Sequence, residues 1–296
     1  MPRKRKSKKN RARRVSRPSW WSSADPVKRR RLLLVTGACC CAMVFVVAAA
    51  VAVDRLDSHV DGRLVERFPN PKLVIDVPEC LVGSADRDVS EVLLPLLELD
   101  WTDRRLCREM AARAATVGWV KRVRHVRRTS EGVFEVRCVY REPFAMVVKA
   151  GEFILVDEEG VRLPGLYRYD PAWILIQGAA DPIPEVARRW EGEDLAAGLS
   201  LVGLIRDEQF ASQITAVLVD NCGGRVDPRR AHFELATDRV DGRIRWGSAP
   251  GMELEENTVA QKLAILRDVF RRTGRVDADE VIIDVSVYPD RYIVGG

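Results

Sequence analysis

The sequence has little histidine and lacks the short motifs that mark common catalytic centres. It has three histidines, His59, His125 and His232, and no H-E-x-x-H pair at helical spacing. The G-x-S-x-G elbow, the P-loop and the dinucleotide-binding glycine fingerprint are also missing. These absences disfavour zinc peptidases, serine hydrolases, nucleotide hydrolases and nicotinamide enzymes. The sequence therefore predicts a protein that is not an enzyme and that uses no cofactor or metal.

Cysteine pairs at metal-binding spacing are missing as well. Three of the seven cysteines stand together in an apolar run, Cys39 to Cys41, and no C-x-x-C pair occurs anywhere. That distribution does not fit a zinc site. The other four are scattered, and their spacing neither requires nor excludes disulfides: Cys80, Cys107, Cys138 and Cys222.

Acidic residues are almost absent from residues 1–31. This segment has fourteen Lys or Arg against one acid, Asp25, which gives a net charge of +13, whereas the remainder of the chain carries −8. The tail has no apolar periodicity, so we expect it to be disordered. Binding to anionic lipid or nucleic acid is one interpretation. A solvated segment that sets membrane topology is the simpler one, and no specific nucleic-acid partner is predicted.

A charge-free apolar segment follows the tail. Residues 32–53 number 22, and at about 1.5 Å per residue a helix of this length spans a hydrocarbon core of roughly 30 Å. A cleaved signal peptide normally has a shorter apolar region, so we interpret the segment as a retained transmembrane helix. Lys28–Arg31 on its N-terminal side predicts a cytoplasmic N-terminus and places residues 54–296 outside the cytoplasm.

Apolar patterning after a linker at 54–71 predicts the order β-α-α-β-β. In the helix expected over Thr102–Val117, with Thr102 as a possible N-cap, one face is apolar through Leu106, Met110, Arg113 or Ala114, and Val117. In the strand expected over Trp119–Arg127, Val120, Val123 and Val126 are all buried only if the strand bends or twists. The other elements of this module are a strand at Lys72–Val77, a helix at Val89–Leu97 and a strand at Val133–Tyr140.

The chain beyond Pro143 has the pattern of strands and turns with two helices. A hairpin is expected around Ala150-Gly151, and helices over Leu195–Arg206 and Val259–Thr273, the second ended by Gly274. The acidic run Asp157 to Glu159 is not interpreted as a pair of catalytic carboxylates, because adjacent strand residues point to opposite faces. Its Asp and the following Gly160 are expected to close a turn before Val161. Further strands are expected at Trp173–Gln177, Ile214–Val219, His232–Ala236, Gly242–Trp246 and Val281–Val287.

This order of elements resembles the bacterial division proteins of the FtsQ/DivIB family over nearly the whole chain. The most specific local likeness begins at Trp119-Val120, passes through Val136–Tyr140 and closes with Arg141-Glu142-Pro143 and Ala145. Other segments similar to the family are Leu155-Val156-Asp157-x-x-Gly160, Ile244-x-Trp246-Gly247, Lys262-Leu263 and Ile283-Asp284-Val285. Two departures are VPECLVG after the first strand and Ser286 in place of an expected Arg.

The resemblance implies an α+β fold with a single transmembrane helix, a POTRA-type β-α-α-β-β module and a C-terminal mixed α/β domain with a mainly antiparallel sheet. The domains would be a basic cytoplasmic tail at 1–31, a transmembrane helix at 32–53, a linker at 54–71, the POTRA-like domain at 72–143, the FtsQ-type β domain at 144–288 and a C-terminal tail at 289–296. The protein would lie in the cell inner membrane with its C-terminal domain in the periplasm, at the division septum.

The resemblance further implies a scaffold that recruits septal proteins. Its partners would be single-pass proteins of the FtsB and FtsL type, with FtsK and the septal peptidoglycan synthase as further partners. A physical route is strand addition at the last strand, Val281–Val287, if that strand leaves an open edge. Its partner-facing residues would be Ile282, Asp284 and Ser286, with Tyr288 as an aromatic anchor, and Val281, Ile283 and Val285 would face the core.

Two other function classes stay open from sequence. POTRA units also occur in outer-membrane translocation or secretion systems, although several units or a long barrel usually accompany them. A membrane-anchored enzyme acting on the cell wall would need a polar cleft with a shifted titratable group.

Overall fold

The computed structural model describes residues 26–67, 71–98, 103, 105–287 and 292–295. The chain divides into two compact units, residues 1–69 and residues 70–296. The predicted disorder of residues 1–25, the N-cap Thr102 and the aromatic anchor Tyr288 lie outside the described residues. Residues 26–31, which were also expected to be disordered, are helical.

One long helix, α1 (Pro26–Arg67), forms the described part of the first unit and has 42 residues. Its segment Leu33–Val60 is long and apolar enough to cross a membrane. The apolar side chains along this segment are exposed instead of packed against protein. The predicted transmembrane segment lies inside α1, and the predicted linker continues the helix as far as Arg67. This arrangement is consistent with a single-pass membrane protein.

The second unit begins with a three-stranded sheet and two helices. Its elements in chain order are β1 (Lys72–Asp76), α2 (Ala85–Leu97), α3 (Leu106–Ala114), β2 (Val120–Arg128) and β3 (Val133–Tyr140). The strand order is β1-β3-β2, with β1 parallel and β2 antiparallel to β3. The predicted apolar face at Leu106, Met110, Ala114 and Val117 is buried, as expected.

Strand β2 has a valine at every third position, and two β-bulges bring these valines to the same face of the sheet. Its pairing with β3 shifts register between Val120 and Arg122 and again between Val123 and His125, which leaves Lys121 and Arg124 as extra residues. Each bulge absorbs one residue between successive valines. Val120 is therefore buried and Val123 and Val126 are half-buried, while the basic residues between them are exposed.

The remainder of the second unit contains an eight-stranded sheet and two helices. In chain order these are β4 (Ala145–Lys149), β5 (Glu152–Val156), β6 (Leu175–Gln177), α4 (Glu193–Ile205), β7 (Ile214–Leu218), β8 (Phe233–Thr237), β9 (Arg243–Gly247), α5 (Val259–Thr273), β10 (Ile282–Asp284) and β11 (Ile293–Gly295). The strand order is β11-β10-β9-β8-β7-β6-β4-β5.

This larger sheet is mixed, and the expected mainly antiparallel character is not confirmed. Among the described strands, four neighbouring pairs are antiparallel and three are parallel. Two parallel pairs, β6–β7 and β9–β10, are separated in the chain by α4 and α5, because a parallel neighbour requires a crossover connection.

The core of this part of the unit lies between the sheet and its helices. From α4 it takes four apolar residues at helical spacing, Leu195, Leu199, Val202 and Ile205. Helix α5 starts with a capping box between Thr258 and Gln261 and ends at Gly274, whose φ of 73° is left-handed. The predicted end of this helix is therefore confirmed.

An ion pair joins the end of β3 to the turn after β5. The Arg141 guanidinium donates to the Asp157 carboxylate at 2.6 Å, and both side chains are largely buried. Asp157 in turn accepts from the backbone N–H groups of Glu159 and Val161. The acidic run is thus a turn, as expected, and its first carboxylate connects the segments of the two sheets.

A buried carboxylate lies between β8 and the segment after α5. Asp277 is fully buried and accepts from Arg275 Nη2 at 2.7 Å and from Thr237 Oγ1 at 2.9 Å. Burial raises the pKa of Asp277, but the hydrogen bonds from Arg275, Thr237 and the Asp279 backbone outweigh it and hold the pKa below its usual value.

Removing this charge should destabilise the second unit. We predict that Asp277→Asn lowers the free energy of unfolding by about 2 kcal/mol at neutral pH, because the charged hydrogen bonds from Arg275 and Thr237 to a fully buried carboxylate are weakened, while Arg275 keeps its pair with Asp238 at 2.7 Å. Since the folded-state pKa lies below the unfolded one, this contribution is complete above the unfolded pKa and is lost as pH falls through the folded pKa. Urea unfolding at neutral and acidic pH measures both effects.

Asp268→Asn is the matched control. Asp268 pairs with Arg272 at 2.7 Å on the surface of α5, and an exposed pair of this kind contributes at most about 0.5 kcal/mol. Equal losses for the two variants, or an Asp277→Asn loss that does not shrink in acid, would contradict the assignment.

Candidate partner-binding surface

The C-terminal end of the eight-stranded sheet contains the strand predicted to bind a partner. Strand β10 pairs in parallel with β9 and antiparallel with β11. Both of its edges are therefore occupied, and the prediction of an open edge at Val281–Val287 is wrong. The physical reason is that Ile293–Gly295 pairs antiparallel with β10 as one more strand.

The predicted alternation of faces holds over most of the strand. Ile283 and Val285 are fully buried, whereas Val281, which was also expected in the core, is 44% exposed. Ile282, Asp284 and Ser286 are half-buried on the opposite face. Asp284 accepts from the Ser286 hydroxyl at 2.6 Å and from its backbone N–H at 3.0 Å, so these two polar residues bond to each other.

Asn257 continues the pairing where β10 ends. This fully buried side chain donates from Nδ2 to the carbonyls of Val285 at 3.0 Å and Val287 at 2.8 Å. Its backbone N–H donates to the Ser286 carbonyl at 2.9 Å. Because buried backbone carbonyls need donors, Asn257 keeps the segment after β10 extended without a further strand.

A buried ion pair between Lys262 and Glu256 lies next to Asn257 in the same region. Lys262 is fully buried, and its ammonium donates to Glu256 Oε2 at 2.8 Å and lies 5.2 Å from the centre of the Trp246 ring. Glu256 also accepts from the Ser248 backbone N–H. At Gly247, where φ is 96°, a side chain would collide with the Glu256 carboxylate, so only glycine fits.

Strand β11 is the outermost strand at this end of the sheet. No other strand in the described ranges pairs with its outer edge, and Ile293 and Val294 are each about half exposed. Beside it, Tyr292 and the α5 residues Ala260, Gln261, Ala264, Ile265, Asp268 and Arg272 line a groove of about 420 Å³. A backbone edge with no described neighbour, next to a groove of mixed apolar and polar lining, is a suitable surface for an extended peptide.

The sequence interpretation missed β11 because it treated residues 289–296 as a tail. A signal was present: the Pro289-Asp290 dipeptide favours a turn, and after Arg291 the three apolar residues Tyr292–Val294 follow. Three residues are too few for a periodicity argument, so pairing with β10 could only be recognised in the structure.

The cysteines and histidines form no reactive centre in the part of the chain that the structure describes. All seven cysteines are free, and burial raises the pKa of the Cys138 and Cys222 thiols, away from the reactive thiolate. Within the described ranges, no group of three His, Cys, Asp or Glu side chains is placed to hold a metal ion.

Comparison with known proteins identifies no related family or curated protein. No protein-family model matches the chain, and no curated protein matches it.

The Glu256–Lys262 pair should be essential to this end of the sheet. We predict that Glu256→Gln lowers the free energy of unfolding by about 3 kcal/mol, because a fully buried ammonium loses its counter-charge. Chemical denaturation of the purified chain measures the change.

The double variant Glu256→Leu with Lys262→Met provides the control. Replacing both charges by apolar groups of similar size removes the unpaired charge, so we expect a smaller loss than for Glu256→Gln alone. A double variant that is less stable than the single one would contradict a role for the buried charge.

Proposed function

We propose that this chain is a non-enzymatic, membrane-anchored scaffold of the bacterial division machinery that binds partner proteins through its second unit. The observation that carries the proposal is the unpaired edge of β11 in a folded unit that follows an apolar, membrane-length helix. Division is the proposed process because the order of elements along the chain resembles the FtsQ/DivIB family.

The architecture of the three-stranded sheet supports this proposal. The proposed POTRA-type module rests on the chain order β1-α2-α3-β2-β3 and the sheet order β1-β3-β2. The likeness rests on topology, which many functions share. The local matches at Arg141-Glu142-Pro143 and Asp157-x-x-Gly160 add support, because Arg141 and Asp157 form the ion pair between the end of β3 and the turn after β5.

The basic segment at 1–31 supports a cytoplasmic N-terminus, because short segments rich in Lys and Arg stay on the cytoplasmic side. The second unit would then lie in the periplasm, anchored in the inner membrane, where single-pass partners of the FtsB and FtsL type expose their own domains. FtsK and the septal peptidoglycan synthase are the further partners in this proposal.

Strand addition at β11 is the proposed binding mode. A partner segment would donate backbone hydrogen bonds to the outer edge of β11, and its side chains would pack on Val294 and in the groove beside α5. Of the residues first predicted from sequence, Ile282, Asp284 and Ser286 lie one strand further in. In this mode they support β11 and do not touch the partner's backbone.

The cellular role has a direct test. We expect a fluorescent fusion of the full chain to concentrate at mid-cell during division and depletion of the chain to produce filamentous cells. A fusion spread evenly over the envelope, together with normal division after depletion, would exclude the division assignment.

The binding mode has a separate test. We predict that Val294→Lys weakens binding to the FtsB- or FtsL-type partner of the same organism by about tenfold, because a charge replaces apolar contact at the strand edge. Co-purification from membranes and titration of the purified proteins measure the change.

Val240→Lys is the control, since Val240 is 84% exposed in the loop between β8 and β9. Circular dichroism checks that both variants stay folded. Equal binding by the two variants would place the partner elsewhere.

A further inference from the structure

Helix α4 has an outer face without charge. From Leu195 to Ile205 the helix contains no charged residue, although Ala196, Ser200 and Gly203 are exposed. The Ser200 hydroxyl is bonded to the Ala196 carbonyl of the same helix. A helix without charge on any side is normally buried on all sides. The exposed face of α4 therefore has the composition of a surface that a further segment covers.

Two cavities lie along this helix and share Phe144 as a lining residue. The first, of about 440 Å³, includes Ala196, Ser200 and Gly203 in its lining. The second, of about 300 Å³, lies at the carboxyl end of α4 and includes Arg206. Volumes of this size hold a small ligand or a few residues of a peptide.

The second cavity contains hydrogen-bond donors that lack acceptors. Arg206, Trp173 and Ser212 line it, and within the described ranges their guanidinium, indole N–H and hydroxyl groups donate to no protein atom. The Arg206 guanidinium lies over the Phe144 ring, 4.8 Å from its centre. The Asp207 carboxylate is 3.9 Å from Arg206 Nε and 91% exposed, so it neutralises this cation only weakly.

An arginine stacked on an aromatic ring is well placed to bind a carboxylate. The planar guanidinium keeps a fork of N–H groups at its edge, and a carboxylate accepts two of them in parallel. Pro171, Ile174 and Val202 make the remainder of this cavity apolar. The matching ligand is a carboxylate joined to an apolar group, which is the chemistry of a peptide C-terminus that ends in an apolar residue.

The first cavity has the opposite charge. Glu158, Glu159 and Glu191 line it together with one cation, Arg189. Glu159 pairs with Lys121 at 2.6 Å, whereas Glu158 and Glu191 are exposed and form no ion pair with a described residue. This cavity therefore favours a basic side chain.

We infer that the outer face of α4 binds the C-terminal segment of another protein, with its terminal carboxylate on Arg206 and a Lys or Arg side chain beside Glu158 and Glu191. Ala196 and Arg206 are separated by about 15 Å along the helix, at about 1.5 Å per residue. An extended peptide covers this distance with about five residues. The basic residue should thus stand about five positions before the C-terminus.

A free chain terminus is the occupant that satisfies both cavities. An internal basic loop or helix of a partner would neutralise Glu158 and Glu191 but would leave Arg206 without a carboxylate. A second copy of this chain offers a less suitable segment, because its Ile293–Gly295 is already paired with β10.

This inference goes beyond the proposed function and does not depend on it. The β11 surface lies beside α5, whereas both cavities lie beside α4. The variant Val294→Lys changes the first surface and leaves the second intact, so failure at one is distinguishable from failure at the other.

The test uses the full chain reconstituted in nanodiscs of neutral lipid. The probe is the peptide Lys-Gly-Ser-Gly-Ser-Val, labelled at its N-terminus and free at its carboxyl end. We expect the C-terminal amide of the same peptide to bind about tenfold more weakly, because it loses the paired hydrogen bonds to a guanidinium. The isomer Gly-Ser-Gly-Ser-Lys-Val keeps the carboxylate but misplaces the lysine, and we expect it to bind about threefold more weakly.

Arg206→Gln is the decisive variant, and Arg229→Gln is its matched control. Arg229 is exposed elsewhere in the second unit and forms no ion pair with a described residue. We expect Arg206→Gln to weaken binding about tenfold and to remove the difference between acid and amide. Arg229→Gln should change the affinity by less than twofold.

Glu158→Gln with Glu191→Gln tests the other cavity. This double variant should bind the two lysine isomers equally, whereas Glu152→Gln with Glu280→Gln, at exposed positions elsewhere, should keep the preference. Circular dichroism checks the fold of every variant, and the comparison of acid with amide on the unchanged chain needs no variant at all.

Three outcomes would overturn the inference. Equal binding of acid and amide would exclude capture of a C-terminus. Equal binding of the two isomers to the unchanged chain would mean attraction to charge without a defined spacing. Competition by N-acetylvaline as strong as by the hexapeptide would mean a site for small carboxylic acids at Arg206 and no peptide site along α4.

Discussion

The position of β10 inside the eight-stranded sheet is the constraint on which the C-terminal surface depends. Its parallel pairing with β9 requires a crossover, which α5 provides, and its burial places Ile283 and Val285 in the core. Asn257 then holds the segment beyond β10 in an extended form. The edge strand β11 pairs with β10. The exposed strand at this end of the sheet is therefore attached to a strand that is itself buried and paired on both sides.

Two ion pairs with a buried member lie at this end of the unit. Lys262 with Glu256, and Asp277 with Arg275, are pairs in which one member is fully buried. Such pairs add little to stability in comparison with apolar residues, but breaking one is costly. They therefore select a single arrangement of the loops that flank β9 and β10, which a binding surface needs if it is to be formed before its partner arrives.

Much of the fold could be predicted because local patterns and tertiary packing agree. The burial of Leu195, Leu199 and Val202 followed from helical spacing, and the end of α5 at Gly274 followed from its conformation. Sheet order could not be predicted, because pairing between distant strands leaves no local pattern. The edge strand β11 could not be predicted for the same reason: three residues are too few for a periodicity argument, and pairing with β10 leaves no local pattern.

The two bulges of β2 change how this strand responds to insertion and deletion. In a regular strand, loss of one residue moves every later side chain to the opposite face. In β2, Lys121 and Arg124 are the extra residues, so deleting either would restore plain alternation and keep all three valines on the helix side. Deleting or inserting a basic residue at a bulge thus changes the number of charges along this edge in evolution. The valines that pack under the sheet keep their positions.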